Sequence, residues 1–333
     1  MQKTLVRLSD GTHHALDPET RKLVYKTFMI VASCHRRNPS DDGNPFLCNK
    51  HCPFCTAQAT LWPRVDDQWE KMPDRLAECE RANLFFEYLT MSGNGEPSMV
   101  RPRNLVYLRE VFDRYNHLFR YRRFQTGGYI FTIDRVFSAF HDFVFEITRL
   151  SADDDKDMVG LGYRPNYTRT ENFKSSKVVF NIVLLQNNVH EVLDIIRRYI
   201  DRFGDILYAL NLKILNPNTF DPTALANPFS QWIIKNGLPK DRGQEVVDIM
   251  DGVFTRAMDL DPFFDRYEWE GPKMSDGRRL PITLYARKAR YGLANVVYYG
   301  GGLVDYQLHD LVLPTAEEYQ SVIRAAQQTG LGQ

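Results

Sequence analysis

Apolar positions along this chain fall into two patterns that alternate. Short, unbroken apolar runs rich in β-forming residues predict strands at Tyr25–Ala32 (YKTFMIVA), Tyr88–Met91, Phe124–Thr126, Phe143–Thr148, Val178–Leu185 and Ile206–Leu215. Between them, apolar residues recur at helical spacing. Pro73 opens one such stretch, with Leu76, Cys79, Phe86 and Leu89 roughly on one face; proline suits a first helical turn, where its missing N–H costs nothing. Leu105, Leu108, Phe112 and Tyr115 mark a second helix. A third, very regular one runs through Val189, Val192, Leu193, Ile196, Tyr199, Ile200 and Phe203 and is predicted to stop at Gly204. Because the strand runs are continuously apolar, they predict strands covered on both faces.

Strands alternating with helices imply βαβ units around a parallel sheet, open or closed into a barrel. Six strands between residues 24 and 215 predict an α/β fold, a partial (β/α)6 TIM-like barrel, two strands short of a full one. Residues 1–23 read as a lead-in. The chain changes character from residue 216, where prolines crowd turns such as NPNTFDPTALANP. A mixed, more antiparallel segment is expected to follow in ITLYA, Asn295–Tyr299 and Tyr306–Leu313, so residues 216–333 read as a C-terminal α+β extension packing on the barrel, across its open side. A length of 333 residues and a 43% hydrophobic share supply enough core for this.

Charge narrows the function classes. Lys and Arg number 42, as do Asp and Glu, so no overall field draws the chain to nucleic acid or an anionic membrane. The local basic group Arg120, Arg122 and Arg123 reads as a solvated face. No apolar run approaches the roughly 20 residues of a membrane-spanning helix, and the N-terminal MQKTLVRLSDGTHH lacks a secretory apolar stretch. A cytoplasmic protein is the expectation.

Five cysteines stand at positions 34, 48, 52, 55 and 79. An odd number with three inside eight residues does not make a disulfide framework. Cys48-Asn-Lys-His-Cys52-Pro-Phe-Cys55 gives a C-x3-C-x2-C spacing in the loop after the first strand. Three thiolates on a short loop can converge on a 4Fe–4S cluster whose fourth iron lacks a protein ligand and stays open to a small molecule. A zinc site with His51 as fourth ligand is the competing reading, but His51 is awkwardly placed within the loop. Cys34 and Cys79 read as small buried hydrophobes.

That motif resembles the signature of the radical S-adenosylmethionine (radical SAM) superfamily. The resemblance implies that the open iron is chelated by the methionine end of S-adenosylmethionine. One electron then cleaves the sulfonium to a 5′-deoxyadenosyl radical that abstracts hydrogen from substrate, and Phe54, just before the last cysteine, packs near the adenine. Some 40 residues on, as a strand ends, comes Thr90-Met-Ser-Gly93-Asn94-Gly95-Glu96-Pro97. Glycines allow close backbone approach, and a carboxylate accepts from an ammonium group. The stretch resembles the superfamily's Gly-Gly-Glu-Pro motif, which holds the methionine amino group; Asn94 replaces the commonest second glycine. An ordinary β-to-α turn is the plainer alternative.

Further matches place Phe143–Ser151 (FVFEITRLS) as the fourth strand, with Arg149 and Ser151, and less so Glu146, as candidates for the methionine carboxylate and ribose. Val178–Leu185 resembles the fifth strand, where Asn181 matches a polar position facing the cofactor. Thr126-Gly127-Gly128 closes strand three and is a further lining candidate. A purely structural role stays open for each of these.

The substrate is less legible. No cysteine follows Cys79, so the chain supports one cluster, which argues against superfamily members that bind additional clusters near the C-terminus. A small metabolite, nucleoside or sugar is the expected substrate, with RNA or a peptide, or a non-enzymatic zinc- or cluster-stabilised binding protein, as alternatives. In Tyr298-Tyr-Gly-Gly-Gly-Leu-Val-Asp305-Tyr306-Gln307-Leu-His309-Asp310, Tyr306 could return a hydrogen atom and Asp305 or His309 move a proton; a strand with a glycine turn is the plainer reading. The resemblance further implies a flavodoxin or ferredoxin as electron donor.

Overall fold

The computed structural model describes residues 4–7, 13–17, 19–32, 52, 54, 55, 65–93, 95–127, 136, 139–149, 177–217, 227–239, 242–259, 266–285, 295–304 and 310–328. After the antiparallel pair β1 (Thr4–Arg7) and β2 (His13–Leu16), the chain alternates strands with helices. In order come β3 (Leu23–Ala32), α1 (Met72–Arg81), β4 (Leu84–Gly93), α2 (Pro102–Arg114), β5 (Phe119–Thr126), β6 (Val144–Arg149), β7 (Lys177–Leu184), α3 (Val192–Phe203) and β8 (Leu207–Ile214). Strands β3 to β8 pair in sequence order, all parallel.

The six expected strands are present, and β3, β4 and β5 are longer than their apolar runs. The helix opened by Pro73 is shorter than its pattern: Phe86 and Leu89 belong to β4. The helix ends because Asn83 takes φ +55°, a left-handed conformation that asparagine tolerates just past a helix C-terminus. The stretch LFFEYLTMSG then favours a strand. Gly204 follows α3 with an ordinary negative φ; its role is space, since a Cβ there would stand 2.7 Å from the Ile200 carbonyl.

The two faces of the sheet differ. One register carries Phe124–Phe145–Val178, Ile147–Phe180–Leu210–Ile282 and Ile182–Leu212–Leu284 across neighbouring strands. These residues are buried in the main core with Leu76, Leu108, Phe112, Ile196, Tyr199 and Phe203 of the helices. Phe203 of α3 stacks on Phe180 at 4.5 Å between ring centres, a pair worth about 0.5–1.5 kcal/mol beyond its burial. The alternate register carries Gln125–Glu146, Thr148–Asn181–Asn211–Thr283 and Lys213–Tyr285. The expectation of strands covered on both faces by virtue of continuous apolar runs needs a correction: the second face is polar through its middle.

Residues 216–333 supply more regular structure than their prolines suggest. They form α4 (Pro228–Asn236), α5 (Gly243–Asp251), β9 (Thr255–Met258), β10 (Arg266–Lys273), β11 (Arg279–Tyr285), β12 (Val296–Tyr299), β13 (Gly302–Val304) and α6 (Ala316–Gln328). The β9–β10–β11 meander is antiparallel, but β11 joins β8 in parallel and β12 joins β3 in parallel. Among the described residues, eight parallel strands thus run from β12 to β11, and no pairing of these two closes the barrel. The strand expected over Tyr306–Leu313 reduces to a single bridge between Asp310 and Val304 in its described part, and 311–315 are irregular.

Curvature follows from contacts between distant strands. Six steps separate β3 from β11 in the pairing order, roughly 29 Å if the sheet were flat. Yet the Lys26 ammonium lies 5.6 Å from the Tyr285 ring centre, and Arg266 of β10 donates to the Tyr88 hydroxyl of β4 at 2.7 Å. The sheet curls until its ends face each other, enclosing the polar register in a lumen.

Candidate active site at the carboxyl edge of the sheet

Strand β4 ends at Gly93, where the chain passes close to β3: a Cβ would meet the Ala32 carbonyl at 3.1 Å and Pro97 Cγ at 3.2 Å. Gly95 has φ +129°, open only to glycine. The turn delivers Glu96, 3% exposed, to the head of a short 3-10 turn, Pro97–Met99. Glu96 Oε1 accepts from the Ser98 amide at 3.1 Å and the Thr126 hydroxyl at 2.5 Å, and Oε2 accepts from the Gly127 amide at 2.7 Å. Donors from its own turn and from the end of β5 thus lock the carboxylate between two strand termini.

The cysteine loop reaches the same edge. Cys55 N–H donates to the Cys52 carbonyl at 3.0 Å, closing a turn around Phe54. Phe54 is buried against Val183 and Leu185 at the end of β7, Leu215 after β8 and Ile233 of α4, with Cys52, Phe229 and Trp232 alongside. Cys52 and Cys55 are half-buried; Cys48 lies outside the described residues. Among the described residues no three His, Cys, Asp or Glu side chains converge. Two cysteines in one turn at the carboxyl edge fit a cluster's donor set, which is made of thiolates. Cys79 is fully buried in α1, and burial pushes its thiol up to about 12, so the expectation of an inert hydrophobe holds.

Below this edge runs a buried polar ladder. Glu146, 2% exposed, accepts from Arg123 at 2.8 Å, Gln125 at 3.0 Å and Asn181 at 3.4 Å. Asn181 also reaches Thr148 at 3.3 Å and accepts from Asn211 at 2.9 Å. Burial by itself raises the Glu146 carboxyl, but Arg123, Lys213 and the amide donors outweigh it and hold it at about 2. Burial likewise opposes the charge on Arg123, and Glu146 more than restores it. Arg123 packs 3.8 Å from the Tyr88 ring centre and Lys213 3.7 Å from that of Tyr285.

The solvated-face reading of Arg120, Arg122 and Arg123 is thereby corrected for Arg123, which β5 turns into the lumen. Arg120 is exposed, and Arg122 pairs with Asp142 at 2.6 Å. Arg149 is 1% exposed and lies in the helix-facing register, its guanidinium 5.6 Å from the Phe203 ring centre, so the geometry favours its structural role. Asn94, Gly128, Ser151, Asp305, Tyr306 and His309 lie outside the described residues. Sequence reasoning missed Gln125, Asn211, Lys213 and Tyr285 as lumen residues. Their signal was the two-residue alternation within β5, β8 and β11.

No protein-family model and no curated protein matches the chain. By the two motifs and their shared edge, the chain resembles the radical SAM enzymes. Solved structures similar to it include anSMEcpe with bound AdoMet and a peptide (TM-score 0.39, 18% identity, 56% of this chain and 50% of that one). A radical SAM methyltransferase from Sphaerobacter thermophilus is similar at TM-score 0.39 and 19% identity, over 71% of each chain. A spore photoproduct lyase variant is similar at TM-score 0.40 and 14% identity, over 92% of this chain and 80% of that one. The chain spans about half the length of the anSMEcpe chain. Likenesses of this degree carry no functional argument; the site's own residues do.

Proposed function

We propose that this protein is a radical SAM enzyme acting on a small molecule held in the barrel lumen. One observation carries the reading: the Glu96 turn and the Cys52–Cys55 turn, separate in sequence, both stand at the carboxyl edge of one parallel sheet. This is the edge on which barrel enzymes build their sites. Cys48, Cys52 and Cys55 would hold a 4Fe–4S cluster, and Gly93, Asn94, Gly95, Glu96 and Pro97 the methionine end of S-adenosylmethionine. When bound and reduced, the cluster supplies the electron that cleaves S-adenosylmethionine to methionine and a hydrogen-abstracting 5′-deoxyadenosyl radical.

The chain's own residues do the positioning. Glu96, fixed by Thr126 and Gly127, accepts from the methionine ammonium group. Phe54, backed by Val183 and Leu215, offers an apolar wall to the adenine. Asn181, held by Asn211, presents its amide on the lumen side, and Ser151 is the further candidate for the ribose. The polar ladder from Gln125 to Tyr285 suits a metabolite, nucleoside or sugar rich in hydrogen-bonding groups. Asp305, Tyr306 and His309 are the proposed carriers of the returning hydrogen atom or proton. A flavodoxin or ferredoxin would deliver the electron. Among the described residues no helix is long and apolar enough to cross a membrane, and a cytoplasmic location is proposed.

The test is anaerobic: reconstitute with iron and sulfide, reduce, add S-adenosylmethionine and measure 5′-deoxyadenosine and methionine. Both are expected, and both vanish in Cys52→Ala. A cluster that forms without cleavage, even with cell extract as substrate source, overturns the proposal, as does a colourless protein holding stoichiometric zinc.

A further inference from the structure

The run of three glycines near the C-terminus has a definite structural place. Tyr299 pairs with Gly302, leaving Gly300 and Gly301 as a two-residue hairpin turn at φ +57° and +89°. Positive φ at both central residues is the type I′ requirement. Space selects glycine as well. A Cβ on Gly301 would stand 2.9 Å from Gln68 Cβ and 3.1 Å from Lys71 Cδ, and one on Gly300 3.2 Å from Val65 Cβ. The hairpin tip is therefore pressed against residues 65–71, the stretch that leads from the cysteine loop into α1.

Four further attachments join the hairpin to residues 65–75. The Tyr298 hydroxyl donates to the Gln68 carbonyl, and Trp69 stacks on the Tyr298 ring at 6.3 Å and 21°. Arg75 of α1 donates through Nε to the Gly301 carbonyl at 3.1 Å, while Glu78 holds its Nη1 at 2.7 and 2.9 Å. Val65 packs against the cluster that Val297, Tyr299 and Val304 of the hairpin form with Val31 of β3. Strand β12 is itself paired with β3 through Val296–Phe28, Val297–Met29 and Tyr298–Ile30. One frame thus fixes both ends of the segment carrying Cys48, Cys52 and Cys55: its start at Ala32 and its return at Val65. A fixed return point lowers the entropic cost of holding the residues between.

We propose that the β12–β13 hairpin is a positioning clamp for the cysteine loop, with Gly300, Gly301 and Tyr298 as positioning residues that act through Val65, Gln68 and Trp69. The cluster part of this statement rests on the proposed function; the clamp itself does not.

The test has two arms, each comparing wild type with Gly301→Val, Gly300→Asn and Tyr298→Phe. Asparagine tolerates φ +57° but brings its Cβ onto Val65, and Tyr298→Phe keeps the ring and backbone, so neither depends on Gly301→Val folding. In the metal-free protein, amide hydrogen exchange over residues 65–71 is expected to quicken about fivefold or more, the effect of one lost hydrogen bond, with β5–β8 unchanged. Unchanged rates at 65–71, or equal quickening everywhere, overturn the clamp. In the reconstituted protein, a chelator should bleach the cluster absorbance on the order of tenfold faster in the variants, as for other residues that support metal ligands. Equal bleaching overturns the cluster role. A wild type that takes up no cluster overturns the proposed function and this role together, while the exchange arm still decides the clamp.

Discussion

The Thr126 hydroxyl donates to Glu96 Oε1 at 2.5 Å, joining the end of β5 to the turn after β4. Removing that donor while keeping the side chain's shape is a direct probe of what Glu96 is for. Thr126→Val is expected to weaken S-adenosylmethionine binding by about tenfold, since a hydrogen bond to a charged group is worth roughly 1.5–3 kcal/mol. Titration calorimetry of the reconstituted protein checks it. Unaltered affinity would leave Glu96 as a turn-stabilising residue only.

Arg123 and Glu146 form a buried ion pair at 2.8 Å inside the lumen. Breaking one half leaves a charge without compensation in a poorly solvated place, at a cost of about 3–5 kcal/mol. Arg123→Met should therefore lower the urea midpoint sharply. Arg123→Met combined with Glu146→Gln should recover most of the loss. A single variant as stable as wild type would show that the pair is well hydrated.

Stability should depend on pH through the same carboxylate. Glu146 is lowered from 4.5 to about 2 because Arg123, Lys213 and the amide donors outweigh burial. Its folded form binds a proton less readily than its unfolded form, so its contribution is fully present above about pH 4.5 and is lost as pH falls toward 2. Thermal midpoints of Glu146→Gln should accordingly show a shallower acid slope over that window than wild type. Parallel slopes would assign the acid sensitivity to other groups.

Helix α4 supports the apolar wall behind Phe54 through Ile233. Its first turn is capped by Asn227, whose side chain accepts from the Phe229 amide at 2.9 Å and from the Ser230 amide at 3.4 Å. Asn227→Ala should cost about 1 kcal/mol of stability and should weaken S-adenosylmethionine binding less than Phe54→Ala does. Paired denaturation and titration measurements separate the two effects. Equal binding losses in both variants would mean that the placing of α4 matters to binding as much as Phe54 itself, against its role as a mere support.

Local patterns determined a good deal of this protein. Runs such as VVFNIVLL carry enough β-propensity to form strands anywhere, and the 3.6-residue pattern of Val192 to Phe203 makes a helix that must bury one face, so the six-strand core was legible. Two motifs, around Cys52 and around Glu96, were legible because their chemistry is compressed into a few neighbouring residues. Tertiary structure decided what depends on pairing between distant segments. Nothing local in Arg279–Tyr285 or Val296–Tyr299 marks them as parallel neighbours of β8 and β3. Those pairings arise because the six-strand sheet leaves two unsatisfied edges. Arg123 looked like surface because charge favours water; a partner 23 residues away, Glu146, made its burial affordable. The triple glycine offered no chemistry by itself. It became informative only once the fold brought its turn against Val65 and Gln68, where backbone conformation and lack of space both exclude a side chain.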